Sequence, residues 1–160
     1  MLAVRRFDEA DFSALVSRWH GTNLLSYPYS AEHQRHSLQD ALSFFRHRVL
    51  AECDVWIAER DDALAGLLAM QPPWIRHLTV FPEFQRQGIG TALLSKAREC
   101  SPGELRLFTF QRNHPARAFY ERHAFVAVAF GVSPPPESVP DVEYRWPKGQ
   151  AMEGCEAPQP

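Results

Sequence analysis

From Gln85 to Gly90 the chain reads Q-R-Q-G-I-G, placed between an alternating apolar run, Trp74 to Val80, and a helical stripe of Ile89, Leu93 and Ala97. A glycine-bearing turn that opens a helix points several main-chain N–H groups at one spot, where the helix dipole is positive, and so suits a phosphate or pyrophosphate. Gly88 and Gly90 would let the backbone approach phosphate oxygens with no Cβ in the way, and Arg86 could add a charge-assisted contact. Two nucleotide motifs are excluded: no G-K-[S/T] makes a Walker loop, and G-I-G-T-A-L lacks the third glycine of the dinucleotide fingerprint.

Other reactive side chains point elsewhere. His33, His36 and His47 lie in one predicted helical region, but no Cys, Asp or Glu completes a ligand set, so the reading is a solvated face and no metal. Cys53, Cys100 and Cys155 are odd in number and form no C-x-x-C pair, which argues against a disulfide framework and for a reducing compartment. The expectation is a cytoplasmic protein. The net charge of −2 over 160 residues gives no global field toward nucleic acid or a membrane, so neither is an expected partner. Of the 17 basic side chains only Lys96 and Lys148 are lysines; the rest are arginines, which favours bidentate anion contacts.

The elements that must position the glycine turn follow from periodicity. Leu2 to Phe7 reads as an edge strand and Asp8 as a cap, with a helix from about Glu9 to His20 on the spacing of Phe12, Leu15, Val16 and Trp19. Gly21 to Tyr29 reads as an irregular loop, and Ser30 as the cap of a second helix reaching about Glu52. A hairpin follows, turning at Asp61 and Asp62, then a strand from Trp74 to Val80 after Pro72 and Pro73. A helix beginning at Ile89, a strand from Leu105 to Phe110 and a helix opened by Pro115 come next. Strands at Val126 to Phe130 and Val142 to Trp146 flank the Pro-rich segment Ser133 to Pro140, a loop suited to cover an acceptor site. The fold class is α/β of the α+β type, with a mixed, mostly antiparallel sheet. Residues 1–147 are expected to form one domain and 148–160 a flexible tail.

The run L-T-V-F-P-E-F-Q-R-Q-G-I-G-T-A-L-L from Leu78, followed by N-H-P-A-R-A-F-Y-E-R-H-A-F from Asn113, resembles the GNAT superfamily of acetyl-coenzyme A dependent N-acetyltransferases. The resemblance implies about seven strands splayed between the fourth and fifth, flanked by about four helices. It implies that Leu78, Thr79 and Val80 pair with the pantetheine arm through main-chain groups. Gln85, Arg86, Gln87, Gly88, Ile89, Gly90 and Thr91 would hold the pyrophosphate. Asn113 would fix the distal arm, and Ala116, Phe119 and Tyr120 would line the thiol end; Phe125 reads as a core aromatic.

By the same resemblance the substrates are acetyl-coenzyme A and a primary amine of a small molecule, peptide or protein, and the enzyme is a monomer or homodimer. Tyr120 would protonate or hydrogen-bond the departing sulfur, because its phenol, with an ordinary pKa of about 10, stays protonated at neutral pH. A main-chain N–H near Val80 would receive the oxyanion. Relatives often carry a carboxylate two residues before the position of Leu78, where this chain has Arg76. The proton acceptor is then His77, a water chain, or Asp141 or Glu143; Arg76 is free to pair with a carboxylate of the protein or substrate. Strand alternation turns His77 away from Arg76 and Leu78 unless the strand is bulged. The missing carboxylate also leaves a second reading, a coenzyme A binding or sensing module with weak or no turnover.

Overall fold

The computed structural model describes residues 1–147, so the expected tail and Cys155 lie outside the described residues. β1 (Leu2–Arg6) leads through a short 3-10 turn to α1 (Phe12–Ser26), α2 (Ala31–Arg35) and α3 (Leu38–Phe44). α3 continues through a π-helical turn, Phe45–Val49, to Glu52. β2 (Asp54–Arg60), β3 (Ala63–Gln71) and β4 (Trp74–Val80) precede α4 (Ile89–Cys100). β5 (Leu105–Phe110), α5 (His114–Arg122), β6 (Val126–Val132) and β7 (Pro140–Trp146) complete the order.

The seven strands form one sheet in the order β1-β2-β3-β4-β5-β7-β6. Every neighbouring pair is antiparallel except β4 and β5. This is the mixed, splayed sheet of the expected fold. β4 and β5 pair at a single register position, Trp74 with Arg106, and diverge beyond it. Central β3 is buried almost continuously, as befits a strand covered on both faces. Leu68, Met70, Leu93, Leu94, Leu107 and Tyr144 pack on the α4/α5 face, and Leu15, Trp19, Phe45, Ile57, Leu67 and Phe81 on the α1/α3 face.

Two helical boundaries differ from the periodic reading. α1 does not stop near His20 but runs to Ser26. Its polar segment stays helical because Thr22 is buried, with its hydroxyl donating to the Arg18 carbonyl at 2.8 Å. The predicted second helix is instead two: His36 is extended, and Ser37 opens α3 with its own capping box to Asp40. S-x-x-D was present in the sequence as a start signal. β6 and β7 are also longer than expected, because the Pro-rich loop between them closes tightly, with Ser133 N–H donating to Val139 O at 2.9 Å. The Asp61–Asp62 link has positive φ at both residues, the geometry of a two-residue hairpin turn.

Candidate active site

The splay between β4 and β5 creates the site. Phe81 N–H donates to Ala65 O of β3 at 2.9 Å, so alternation along β4 turns the main-chain groups of Leu78 and Val80 toward the open side and those of Thr79 toward β3. Leu78 and Val80 can therefore pair with an added extended chain, whereas Thr79 can offer only its side chain. The Val80 carbonyl already accepts from Gln85 Nε2 at 3.1 Å. That contact directs the Gln85 amide at the strand end rather than at the helix mouth.

Past the strand the chain forms the predicted nest. Arg86 and Gly88 both have positive φ, 62° and 82°, and Gly88 is the left-handed N-cap of α4 with no side-chain cap. The N–H groups of Ile89, Gly90 and Thr91 thus open the helix without intrahelical acceptors. A Cβ on Gly88 would meet nothing within 4 Å, so the mouth of the nest is open space. Gly90 borders the smaller cavity, and a Cβ there would also lie 3.1 Å from Phe119 Cε1, a tight contact, so helix packing is a second reason for glycine at this position. Ile89 is buried in the core and can contribute only its N–H. Gln87 bonds back to the Glu83 carbonyl and accepts from Arg60, leaving Arg86 as the exposed cation beside the nest. Thr91 Oγ1 lies 3.3 Å from His123 Nε2, whose other ring nitrogen faces Phe119 O at 2.8 Å; that network assigns Thr91 as donor.

Two connected cavities occupy the splay. One of about 440 Å³ runs beside Val80, Gln85, Gly90 and Phe119. The other, of about 710 Å³, extends to Trp19, His77, Phe110, Glu137 and Asp141. Asn23, Tyr27, Leu78, Asn113, Ala116 and Tyr120 border both. Asn113 is the N-cap of α5: its Oδ1 accepts from Ala116 N at 3.3 Å, which leaves only its amide N–H groups for a ligand. Tyr120 is almost fully buried among Phe119, Phe125 and Tyr144. Burial, and then the neighbouring Tyr27, push its phenol well above the ordinary tyrosine range. It is a protonated hydroxyl at the junction of the two spaces. Phe125 is a core residue, as expected.

β4 carries a bulge at Arg76, between Ile75 paired with Met70 and His77 paired with Ala69. The extra residue sends Ile75 into the α4/α5 core and His77 to the other face, edge-on to Trp19 at 5.4 Å. Desolvation, reinforced by Arg76, pushes the His77 pKa down to about 4. It is neutral at pH 7 but a far weaker base than an ordinary histidine. Arg76 is exposed, stacks over Trp74 and donates to Gln71 Oε1 at 2.9 Å; among the described residues it pairs with no carboxylate. Of the two C-terminal carboxylates considered as bases, Asp141 borders the larger cavity and Glu143 does not. Among the described residues no group of three His, Cys, Asp or Glu could hold a metal, and no helix is long and apolar enough to cross a membrane.

Trp19, Asn23, Tyr27, Phe44 and Phe110 also border this site and were not legible as functional. Their positions depend on α1 continuing past His20 and on β5 diverging from β4. The one signal in the sequence is the aromatic type of Tyr27 and Phe110, which suits the wall of a cavity.

Comparison with known proteins agrees with this geometry. Residues 51–127 match the family model described as acetyltransferase (GNAT) domain. No curated protein matches the sequence significantly. Among solved structures, apo YjaB from Escherichia coli superposes with a TM-score of 0.76 at 21% identity, covering 91% of this chain and 97% of that one. The PaiA N-acetyltransferase of Thermoplasma acidophilum in complex with coenzyme A gives 0.63 at 20%, covering 89% and 98%. YncA of Salmonella typhimurium, a putative acetyltransferase with acetyl-CoA, gives 0.66 at 16%, covering 92% and 94%. With the splayed sheet, the nest before α4 and the matched family segment in hand, the chain has the GNAT fold, and its residues 51–127 are those of a GNAT acetyltransferase domain.

Proposed function

We propose that the protein transfers an acetyl group from acetyl-coenzyme A to a primary amine. The observation that carries this reading is Tyr120: it borders two cavities, one beside the nest residues Gln85 and Gly90 and the other an open aromatic chamber. The first lies along the open side of β4 and reaches Gln85 and Gly90, the path that a long, anionic, thioester-bearing substrate would take. The N–H groups at the start of α4 and the Arg86 guanidinium hold its pyrophosphate. Leu78 and Val80 pair with its amide arm, and the Asn113 amide donates to the distal segment. The thioester supplies the electrophilic carbonyl.

The acceptor amine enters through the larger cavity and attacks that carbonyl directly. The Val80 N–H, on the open side of β4, receives the developing oxyanion. As the carbon–sulfur bond breaks, the Tyr120 hydroxyl donates a hydrogen bond to the thiolate, which then takes up a proton from water. The amine's proton leaves through water in the open chamber, because His77 at a pKa of about 4 is poorly matched to an ammonium group.

Incubating the protein with acetyl-coenzyme A and a panel of amines while following free thiol tests the reading. Amine-dependent thiol release is expected. Tight coenzyme A binding with no thiol release for any amine would overturn it in favour of a binding or sensing module.

A further inference from the structure

Asp141 is the one carboxylate among the described residues that is buried, with 8% of its surface exposed. It forms no salt bridge there; burial and the nearby Glu137 push its pKa up, and its own main-chain N–H is the one hydrogen bond that opposes them. Yet it borders the larger cavity. A desolvated carboxylate with no countercharge is costly, so a fold that keeps one facing a chamber is poised for a cation from outside.

The surroundings leave that charge uncompensated. Glu137, from the Pro-rich loop, borders the same chamber. Its nearest cationic candidate is His33 Nδ1 at 3.6 Å. Burial pushes the His33 pKa down, and the same nitrogen is 2.8 Å from Ser30 Oγ. Burial thus works against the charged form of His33 that would pair with Glu137. Glu32 also borders the chamber but is already paired with Arg35 and His36. Arg76 borders the chamber too, but its guanidinium is stacked over Trp74 and bonded to Gln71, and it forms no ion pair with Asp141 or Glu137 among the described residues.

Aromatic rings separate this acidic end from the reacting end. Tyr27 borders both cavities near Tyr120 and packs edge-on against Phe110, with centroids 4.9 Å apart. Phe110 is the cross-strand partner of Asp141. An acceptor amine beside Tyr120 would thus have to extend past Tyr27 and Phe110 to reach Asp141. We propose that Asp141, assisted by Glu137, is a specificity subsite for a second, protonated nitrogen of the acceptor. The preferred substrate is a diamine, or an amine bearing a distal cation, whose apolar linker lies along Tyr27 and Phe110. This rests on the acetyltransferase reading above.

The test uses the whole chain with acetyl-coenzyme A and three acceptors of equal length: a five-carbon α,ω-diamine, pentylamine and the ω-aminopentanoate. Thiol release gives kcat/KM for each, and calorimetry gives diamine binding to the coenzyme A-loaded protein. The diamine is expected to exceed pentylamine by about tenfold or more in kcat/KM, with the aminocarboxylate poorest. Asp141→Asn is expected to bring the diamine-to-monoamine ratio close to one, and Glu137→Gln to lower it in the same direction. An unchanged ratio in Asp141→Asn, or a preference for pentylamine or the aminocarboxylate, overturns the proposal. If none of the three releases thiol, the amine panel above decides the acetyltransferase reading separately. The subsite is then decided by whether diamine binding is present and is lost in Asp141→Asn. Should Asp141→Asn not fold, an unaltered ratio in Glu137→Gln together with equal wild-type rates for diamine and monoamine overturns the proposal.

Discussion

A Cβ at Gly90 would sit 3.1 Å from Cε1 and 3.2 Å from Cζ of Phe119, so the second glycine of the turn is where α4 meets the ring of α5. Phe119 is held by Tyr120 at 5.2 Å and His123 at 4.4 Å, and it can give way only by moving off them toward the cavity it borders. Gly90→Ala should destabilise the fold by about 1 kcal/mol, overpacking outweighing the gain in helix propensity. Adding Phe119→Leu should recover the loss, read as a thermal-unfolding double-mutant cycle. Simple additivity would show that the two residues are not coupled. Gly88→Ala should cost about 1 kcal/mol for a different reason, its left-handed backbone.

Gly66 holds β4 in place. Its Cβ would fall 2.5 Å from the Thr79 carbonyl oxygen, a contact with backbone that no rotamer change relieves. Gly66→Ala is expected to cost about 2 to 3 kcal/mol in denaturant unfolding. Because Thr79 and Val80 must shift, it should also weaken coenzyme A binding. Wild-type affinity in a destabilised variant would separate the strand's position from ligand pairing.

Tyr120→Phe removes a hydroxyl that projects toward the cavities and keeps the ring among Phe119, Phe125 and Tyr144. The fold should be unaffected. Loss of the hydrogen bond to the departing thiolate should lower kcat by about a hundredfold, with the KM for acetyl-coenzyme A moving less than about threefold. Steady-state thiol release checks the split; an unchanged kcat would remove Tyr120 from the chemistry.

His77 makes stability depend on pH. Its folded pKa, about 4, lies below the ordinary 6.5, so the unfolded chain binds the proton first as pH falls. Stability is whole above about pH 6.5 and declines as pH drops through 4, by up to about 3 kcal/mol. Unfolding of His77→Phe between pH 4 and 8 should show a shallower acid limb than the parent. The turnover profile of the parent should carry no step near 6.5 from this residue. Such a step, abolished in His77→Gln, would restore His77 as the base.

Much of the molecule was legible because local signals agreed with tertiary demands. The β2–β3 hairpin is written in alternation and the Asp61–Asp62 turn, and the strand-nest-helix order in the position of Q-R-Q-G-I-G between two periodic segments. α1 misled because Gly21, Thr22 and Asn23 have loop composition, while Thr22 is buried and bonded back to Arg18. His77 misled because its sequence position gives an ordinary imidazole; only packing against Trp19 and Phe44 desolvates it.

The sequence by itself determined the family and the chain segments that meet at Tyr120, because glycine spacing, caps and periodicity act over a few residues. Tertiary structure decided which of these groups are free to act. Whether a glycine serves a ligand or a neighbouring ring, whether a histidine is basic, and whether Asp141 lacks a countercharge depend on atoms brought together from distant strands and helices. Desolvation and steric exclusion are set by those neighbours, and composition does not encode them locally.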